Sequence, residues 1–221
     1  VATNIDDSGR YLQVQSIESG TILSIGENGG NLATRLGLRT FTGSTSINSL
    51  NLGQGIFSTD QGPDLALTRT DGSQNQVDLD GVQNINDVIA RINNHVDNFD
   101  PARRIVASLT TTGNGLVLTA PQGAGPIEVA NVGGSQAAWG LGLVPRDATQ
   151  ATGSIVGTSS VISGSDVSGV EVESVFSSLI RMRQALEQGQ SENLEEITFK
   201  LDRDVQRMSL ARGLIGSRQQ A

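Results

Sequence analysis

Apolar residues recur at two different periods along this chain, and the change comes near residue 170. Before it, short alternating runs are separated by Gly, Asp and Ser. "DLALTR" (Asp64–Arg69) and "NQVDLD" (Asn75–Asp80) alternate around Asp71-Gly72-Ser73 and predict two strands joined by a turn. "NINDVIARINNHV" then places Ile85, Val88, Ile89, Ile92 and Val96 at helical spacing, with Asn84 or Asn86 as N-cap. "RIVASLT" (Arg104–Thr110) returns to a strand, and a hairpin is expected after Gly113. The predicted unit is two strands, a helix, a strand and a hairpin.

Part of that unit occurs twice. Gly9–Thr34 lies over Gly113–Ala138 at an offset of 104, with five identical positions: Gly9/Gly113, Leu12/Leu116, Gly29/Gly133, Gly30/Gly134 and Ala33/Ala137. Both stretches run from a turn through an alternating strand, a Gly-containing connection, a second short strand and a Gly-Gly turn. Each then reaches a small-residue segment ending in Leu-Gly-Leu, at Leu36–Leu38 and Leu141–Leu143, one residue off register. The first copy lacks the upstream strands and helix, since Val1–Ile5 falls where Ile105–Leu109 falls in the second. A sheet without its hairpin and helix exposes an unpaired edge and a bare face. The expectation is therefore a piece of a longer protein, with strands elsewhere as the other possibility. Arg39–Gly62, anchored by Ile47, Leu50, Leu52, Ile56 and Phe57, reads as a packed loop or short strand. Val144–Ser168 reads as an exposed connection.

After residue 170 the spacing becomes three and four. A first helix is expected near Ser174 as N-cap, with Val175, Phe176, Leu179, Ile180, Arg183 and Leu186 along one stripe, and Gly189 just past its end. Ser191 or Asn193 can cap a second helix, whose stripe holds Leu194, Ile197, Leu201, Val205, Met208, Ala211 or Arg212, and Ile215. At about 1.5 Å per residue this helix is roughly 30 Å long, more than is needed to cover a short sheet. The expected architecture is α+β. Residues 1–165 form a Gly-rich β/α domain with repeats at 1–38 (partial) and 60–143, and residues 166–221 form an antiparallel helical hairpin.

Composition narrows the function classes. Net charge is −8, against a basic face for nucleic acid. There is no cysteine, which excludes disulfides and thiolate chemistry. No apolar run reaches transmembrane length and no signal-peptide pattern opens the chain, so no membrane partner is expected; the first residue is Val, and a natural start upstream is expected. His95, the single histidine, sits at a polar helix end without evident catalytic partners. Asp78 and Asp80 faintly suggest a calcium loop but lack its ligand ladder and closing Glu. Asp6, Asp7, Asp78 and Asp80 suit Gly-containing turns, and the Gly-x-Gly sequences at Gly113 and Gly140 lack the third glycine of a dinucleotide loop. No enzyme activity, cofactor or metal is expected.

"VFSSLIRMRQALEQGQ" and "LDRDVQRMSLARGLIGSRQQ" together resemble the C-terminal region of the flagellin superfamily. The arrangement of Val175, Phe176, Leu179, Arg183, Ala185, Leu186 and Gly189 is most similar to the hook-associated protein 3 family, at the hook–filament junction. The repeats, with "INDVIARIN" (Ile85–Asn93) and their Leu-Gly-Leu endings, resemble the flagellin hook insertion motif. These resemblances extend over about two thirds of the chain. They imply a non-catalytic structural subunit, exported through the flagellar type III channel without a cleaved signal and assembled outside the cell. Implied partners are neighbouring junction subunits, the first hook-associated protein, flagellin and an export chaperone. Phe176, Leu179, Ile180, Leu186, Leu194, Ile197, Leu201, Val205 and Met208 are the implied packing residues. The family's N-terminal helices and extreme C-terminal helix have no counterpart in this sequence. Alternatives are a filament flagellin, a filament-capping relative, and an extracellular adhesin or carbohydrate-binding module.

Overall fold

A computed structural model describes residues 1–6, 11–170, 175–187 and 194–219. The chain is mixed α+β, with three antiparallel sheets and six helices among the described residues, in two compact units: residues 1–39 with 169–221, and residues 40–168. The first repeat copy thus groups with the terminal helices, not with the second copy as a 1–165 domain requires.

The first unit opens with strands β1 (Ala2–Ile5) and β2 (Leu12–Gln15), paired antiparallel, and a one-turn helix α1 (Leu32–Arg35).

In the 40–168 unit, a 3-10 turn at Ile47–Ser49 leads into the helical turn α2 (Leu50–Gly53). Strands β3 (Leu65–Thr68) and β4 (Gln74–Val77) follow, then helix α3 (Ile85–Asn93). Next come β5 (Val106–Leu109), β6 (Leu116–Pro121), β7 (Glu128–Asn131) and the helical turn α4 (Ala137–Gly140). Strands β8 (Gln150–Thr152), β9 (Ser154–Val156) and β10 (Ser159–Ser163) complete two sheets, ordered β5-β6-β10-β9 and β4-β3-β7-β8. The first unit then closes with α5 (Val175–Glu187) and α6 (Leu194–Gln219).

Helix α3 starts where the sequence says it can. The Asn84 side chain accepts from the Asp87 N–H while the Asp87 carboxylate accepts from the Asn84 and Gln83 N–H groups, so both ends of the turn are satisfied. Ile85, Val88 and Ile92 are buried on its inner face, which packs on β5. Val96 lies past the helix and is exposed. Asn93 bonds the carbonyl and N–H of Ala107, and Asn98 those of Ile105, so two side-chain amides occupy the outer edge of β5. Edges left bare invite foreign strands.

Two expectations fail here. Residues after Gly113 do not make a self-paired hairpin: β6 pairs with β5 and β10, while β7 pairs with β3 and β8 in the other sheet. Val144–Ser168 is not an exposed connection, since it supplies three strands. Their small residues are what close packing needs. Ser160 is fully buried and its hydroxyl accepts the Ile127 N–H, and a Cβ on Gly153, between β8 and β9, would lie 2.8 Å from that hydroxyl. One continuous core of Leu, Ile, Val and Ala fills the unit, with Ile47, Leu50 and Ile56 anchored in it and Leu52 turned outward. Trp139 packs at its margin and donates its indole N–H to the Ala148 carbonyl.

The two copies share backbone detail. Ala2↔Gln15 through Ile5↔Leu12 is the register of Val106↔Thr119 through Leu109↔Leu116, shifted by 104. At a shift of 105, the bonds from Leu36, Gly37 and Leu38 N–H to Leu32, Thr34 and Ala33 carbonyls reappear from Leu141, Gly142 and Leu143 to Ala137, Trp139 and Ala138. The extra residue lies in the Gly-Gly turn: Gly134 and Ser135 separate Gly133 from the N-cap Gln136, whereas Gly30 alone separates Gly29 from the N-cap Asn31. Even the cap is shared. Asn131 accepts the Ala138 N–H, and at the matching place the Glu27 carboxylate accepts the Ala33 and Thr34 N–H groups. Those backbone bonds, that from Thr34 foremost, lower the Glu27 pKa.

At one position the copies differ in how closely another backbone can approach. A Cβ on Gly140 would lie 2.3 Å from the Ile56 carbonyl oxygen, whereas its counterpart is Arg35, an exposed residue. Gly140→Ala is expected to cost about 1–3 kcal/mol of stability in the 40–168 unit. Arg35→Ala should stay within about 0.5 kcal/mol; thermal melts of both variants check this. Because the folded Glu27 pKa is depressed, its capping contribution is present above its ordinary value of 4.5 and lost as pH falls through the lower folded value. Exchange protection of the Thr34 amide should follow that course, and Glu27→Gln should flatten it.

Candidate functional site

The packing residues expected from the sequence do not share one environment. Between α5 and α6 lie Ser178, Ala185, Ile197 and Asp204, all buried. Within each helix the two buried positions are seven residues apart, two turns, which keeps them on one face. Ile197, 6% exposed, is thus sealed by the helix pair, and Ile180, Leu194 and Leu201 are half-buried. Leu179, Leu186, Val205 and Met208 are exposed. The Phe176 side chain and the expected caps Ser174, Gly189, Ser191 and Asn193 lie outside the described residues.

The contact also holds a polar pair that no apolar stripe foretells. Ser178 Oγ donates to Asp204 Oδ2 at 2.8 Å, and Arg207 reaches Asp204 Oδ1 at 3.2 Å. A buried carboxylate so bonded fixes how the helices meet, because sliding either one strips the Ser178 bond, while Arg207 lies on the same helix as Asp204. The stripe also omits Phe199 and Leu210, each 70% exposed on α6. Their spacing to Val205 and Met208 does not form one narrow seam, so periodicity alone passes over them. At about 1.5 Å per residue, α6 extends about 39 Å and α5 about 20 Å, and the exposed Val205, Met208 and Leu210 lie beyond Asp204.

Other chemistry in the 40–168 unit is spoken for. An open groove of about 700 Å³ lies beside α3, lined in part by Asp78, Asp87, Arg91 and His95. His95 Nε2 bonds the Gln76 carbonyl at 2.9 Å and its Nδ1 accepts the Asp97 N–H, so both ring nitrogens are engaged by backbone. Asp87 is held in the helix cap, and Arg91 donates to the Asp80 carbonyl. Asp64, Asp78 and Asp80 bring one carboxylate oxygen each within 4.8 Å of one another, a grouping that joins a residue from β3's approach to the Asp-Leu-Asp sequence. Buried Asp64, however, accepts from the Thr59 N–H and hydroxyl and the Leu79 N–H, so its work is to tie loop ends together. The Asp80 pKa is raised by desolvation first and then by Asp78, Asp64 and Asp60. No helix among the described residues is long and apolar enough to cross a membrane.

Comparison with protein-family models, with curated proteins and with solved structures returns no match.

Ser178→Ala leaves Asp204 buried with one partner fewer and is expected to weaken the helix pair by about 1–3 kcal/mol. Arg183→Ala removes only an exposed ion pair with Glu187 and should cost at most about 0.5 kcal/mol. Helical circular dichroism followed on heating distinguishes the two.

Proposed function

We propose that this chain is part of a structural subunit of the bacterial flagellum at the hook–filament junction. It works outside the cell by packing against its neighbours, without catalysis, cofactor or metal. In this reading α5 and α6 form an antiparallel hairpin of the assembly core, and residues 40–168 form an inserted domain. Its partners are neighbouring junction subunits, the first hook-associated protein and flagellin, with an export chaperone beforehand. The resemblance of the terminal segments to the flagellin superfamily names the assembly.

The observation that supports the reading is the set of exposed apolar side chains on α6, with Val205 and Met208 toward one side of the helix and Phe199 and Leu210 on another. A long helix with uncovered Phe, Val, Met and Leu is a joint rather than a lid. Covering four such side chains yields roughly 6–12 kcal/mol. Association costs about 4–15 kcal/mol in lost freedom, so one such contact holds weakly. Repetition around a tube, where each subunit meets several neighbours, turns weak contacts into a stable wall.

The test uses the complete protein in a motile cell lacking its own copy. Val205→Asp combined with Met208→Asp should abolish incorporation at the junction and swimming, while export and the melting of the 40–168 unit stay unchanged. Leu201 is a poorer probe, because it is half-buried and its replacement also loosens α5 from α6. Normal incorporation and swimming of the double variant contradict the reading.

A further inference from the structure

Two places in the chain read Asn-Gly: Asn28-Gly29 and Asn114-Gly115. Asparagine before glycine is a chemically labile sequence, because the side-chain amide can be attacked by its own backbone. The amide nitrogen of the following residue adds to Cγ, ammonia leaves, and a five-membered succinimide closes. Water then opens the ring at either carbonyl. The products are aspartate and isoaspartate, the second with its main chain running through the former side chain. Glycine permits the closure because it has no Cβ to obstruct the approach. The reacting atoms must still be able to meet, and the fold treats the two sequences differently.

Asn114 is held at both ends of its amide. Its Oδ1 accepts the Phe41 N–H at 2.7 Å and its Nδ2 donates to Asp166 Oδ2 at 2.9 Å. Gly115 is buried, and a Cβ there would lie 2.9 Å from the Gly164 carbonyl oxygen. Turning Cγ onto the Gly115 nitrogen breaks both side-chain bonds, one of them to a carboxylate.

Asn28 is the opposite case. Asn28, Gly29 and Gly30 are all exposed, and a Cβ on either glycine would meet nothing within 4 Å. Among the described residues no hydrogen bond engages the Asn28 side chain or the Gly29 N–H. The exposure belongs to the turn itself. At the matching turn of the second copy Gly133 and Gly134 are exposed too, although a continuous core closes that unit.

We infer that Asn28 is a site of spontaneous deamidation and that the fold protects Asn114 from the same reaction. The only co-reactant is water, and the rate rises with pH because the attacking nitrogen must give up its proton. The product falls beside the cap of α1, where the Glu27 carboxylate reaches over this turn to the Ala33 and Thr34 N–H groups. Isoaspartate adds a methylene to the main chain between that carboxylate and the helical turn, which loosens the cap. The inference is independent of the flagellar reading.

The full chain is kept folded in mildly alkaline buffer, sampled over weeks and digested with trypsin, which releases Asn28 in peptide 11–35 and Asn114 in peptide 105–146. Mass spectrometry should find amide converted to acid at Asn28 at least tenfold faster than at Asn114, with chromatography resolving aspartate and isoaspartate forms. In guanidinium chloride the two rates should converge. Asp166→Ala should speed conversion at Asn114, and Asn28→Gln should remove the fast conversion from peptide 11–35. Amide exchange at Thr34 should be faster in the aged chain, purified by its extra charge, than in the fresh one. Equal rates at the two sites in the folded chain overturn the inference. So does a difference that persists undiminished in denaturant, since it then owes nothing to the fold. Unchanged Thr34 exchange in the aged chain overturns the link to the cap.

Discussion

A strand of Leu, Ile and Val with one apolar side can be stable only if something lies on that side. The whole molecule is organised by whether that condition is met. In residues 40–168 it is met completely. Two four-stranded sheets, α3, α4 and the crossing segment around Ile56 close on a core of aliphatic side chains, with no aromatic residue among its fully buried members. Leu and Val pack well without rings only where backbones approach closely, and glycine and serine permit that approach at Gly140, Gly153 and Ser160. The Gly- and Ser-rich texture of the chain is therefore a packing device.

In residues 1–39 and along α6 the same condition is unmet, and the exposed side chains are of the same kinds as those in the sealed core. On α6, Val205 and Met208 are three residues apart, whereas Phe199 and Leu210 fall on a different side of the helix, so more than one face of its length is uncovered. The buried Ser178–Asp204 bond holds α5 and α6 in one alignment.

Much of this was legible where local chemistry decides. Asn84 or Asn86 marks a helix start, which the bonds between Asn84 and Asp87 fix at Asn84, and Asp71-Gly72-Ser73 marks the β3–β4 turn, because both signals are bonds made within four residues. The identity of Gly29-Gly30 with Gly133-Gly134 was legible as a shared turn, while the one-residue length difference needed the hydrogen bonds to place it. What sequence reading missed depends on distant partners. β8, β9 and β10 look like linker because serine and threonine satisfy close packing that no local window displays. β6 and β7 look like one hairpin because adjacency in sequence suggests it, but their partners are β10 and β3. On α5 and α6 the stripe was visible, but its division into Ile197 within and Val205 and Met208 without depends on where the two helices overlap.

Amide hydrogen exchange, compared between the free chain and the proposed assembly, asks directly whether the exposed α6 surface is a joint. Residues of α6 from Val205 to Leu210 should exchange quickly in the free chain and at least tenfold more slowly in the assembly, with 40–168 slow in both. Equal rates in the two states along α6 would contradict the account, because a surface that nothing covers in the finished structure joins nothing.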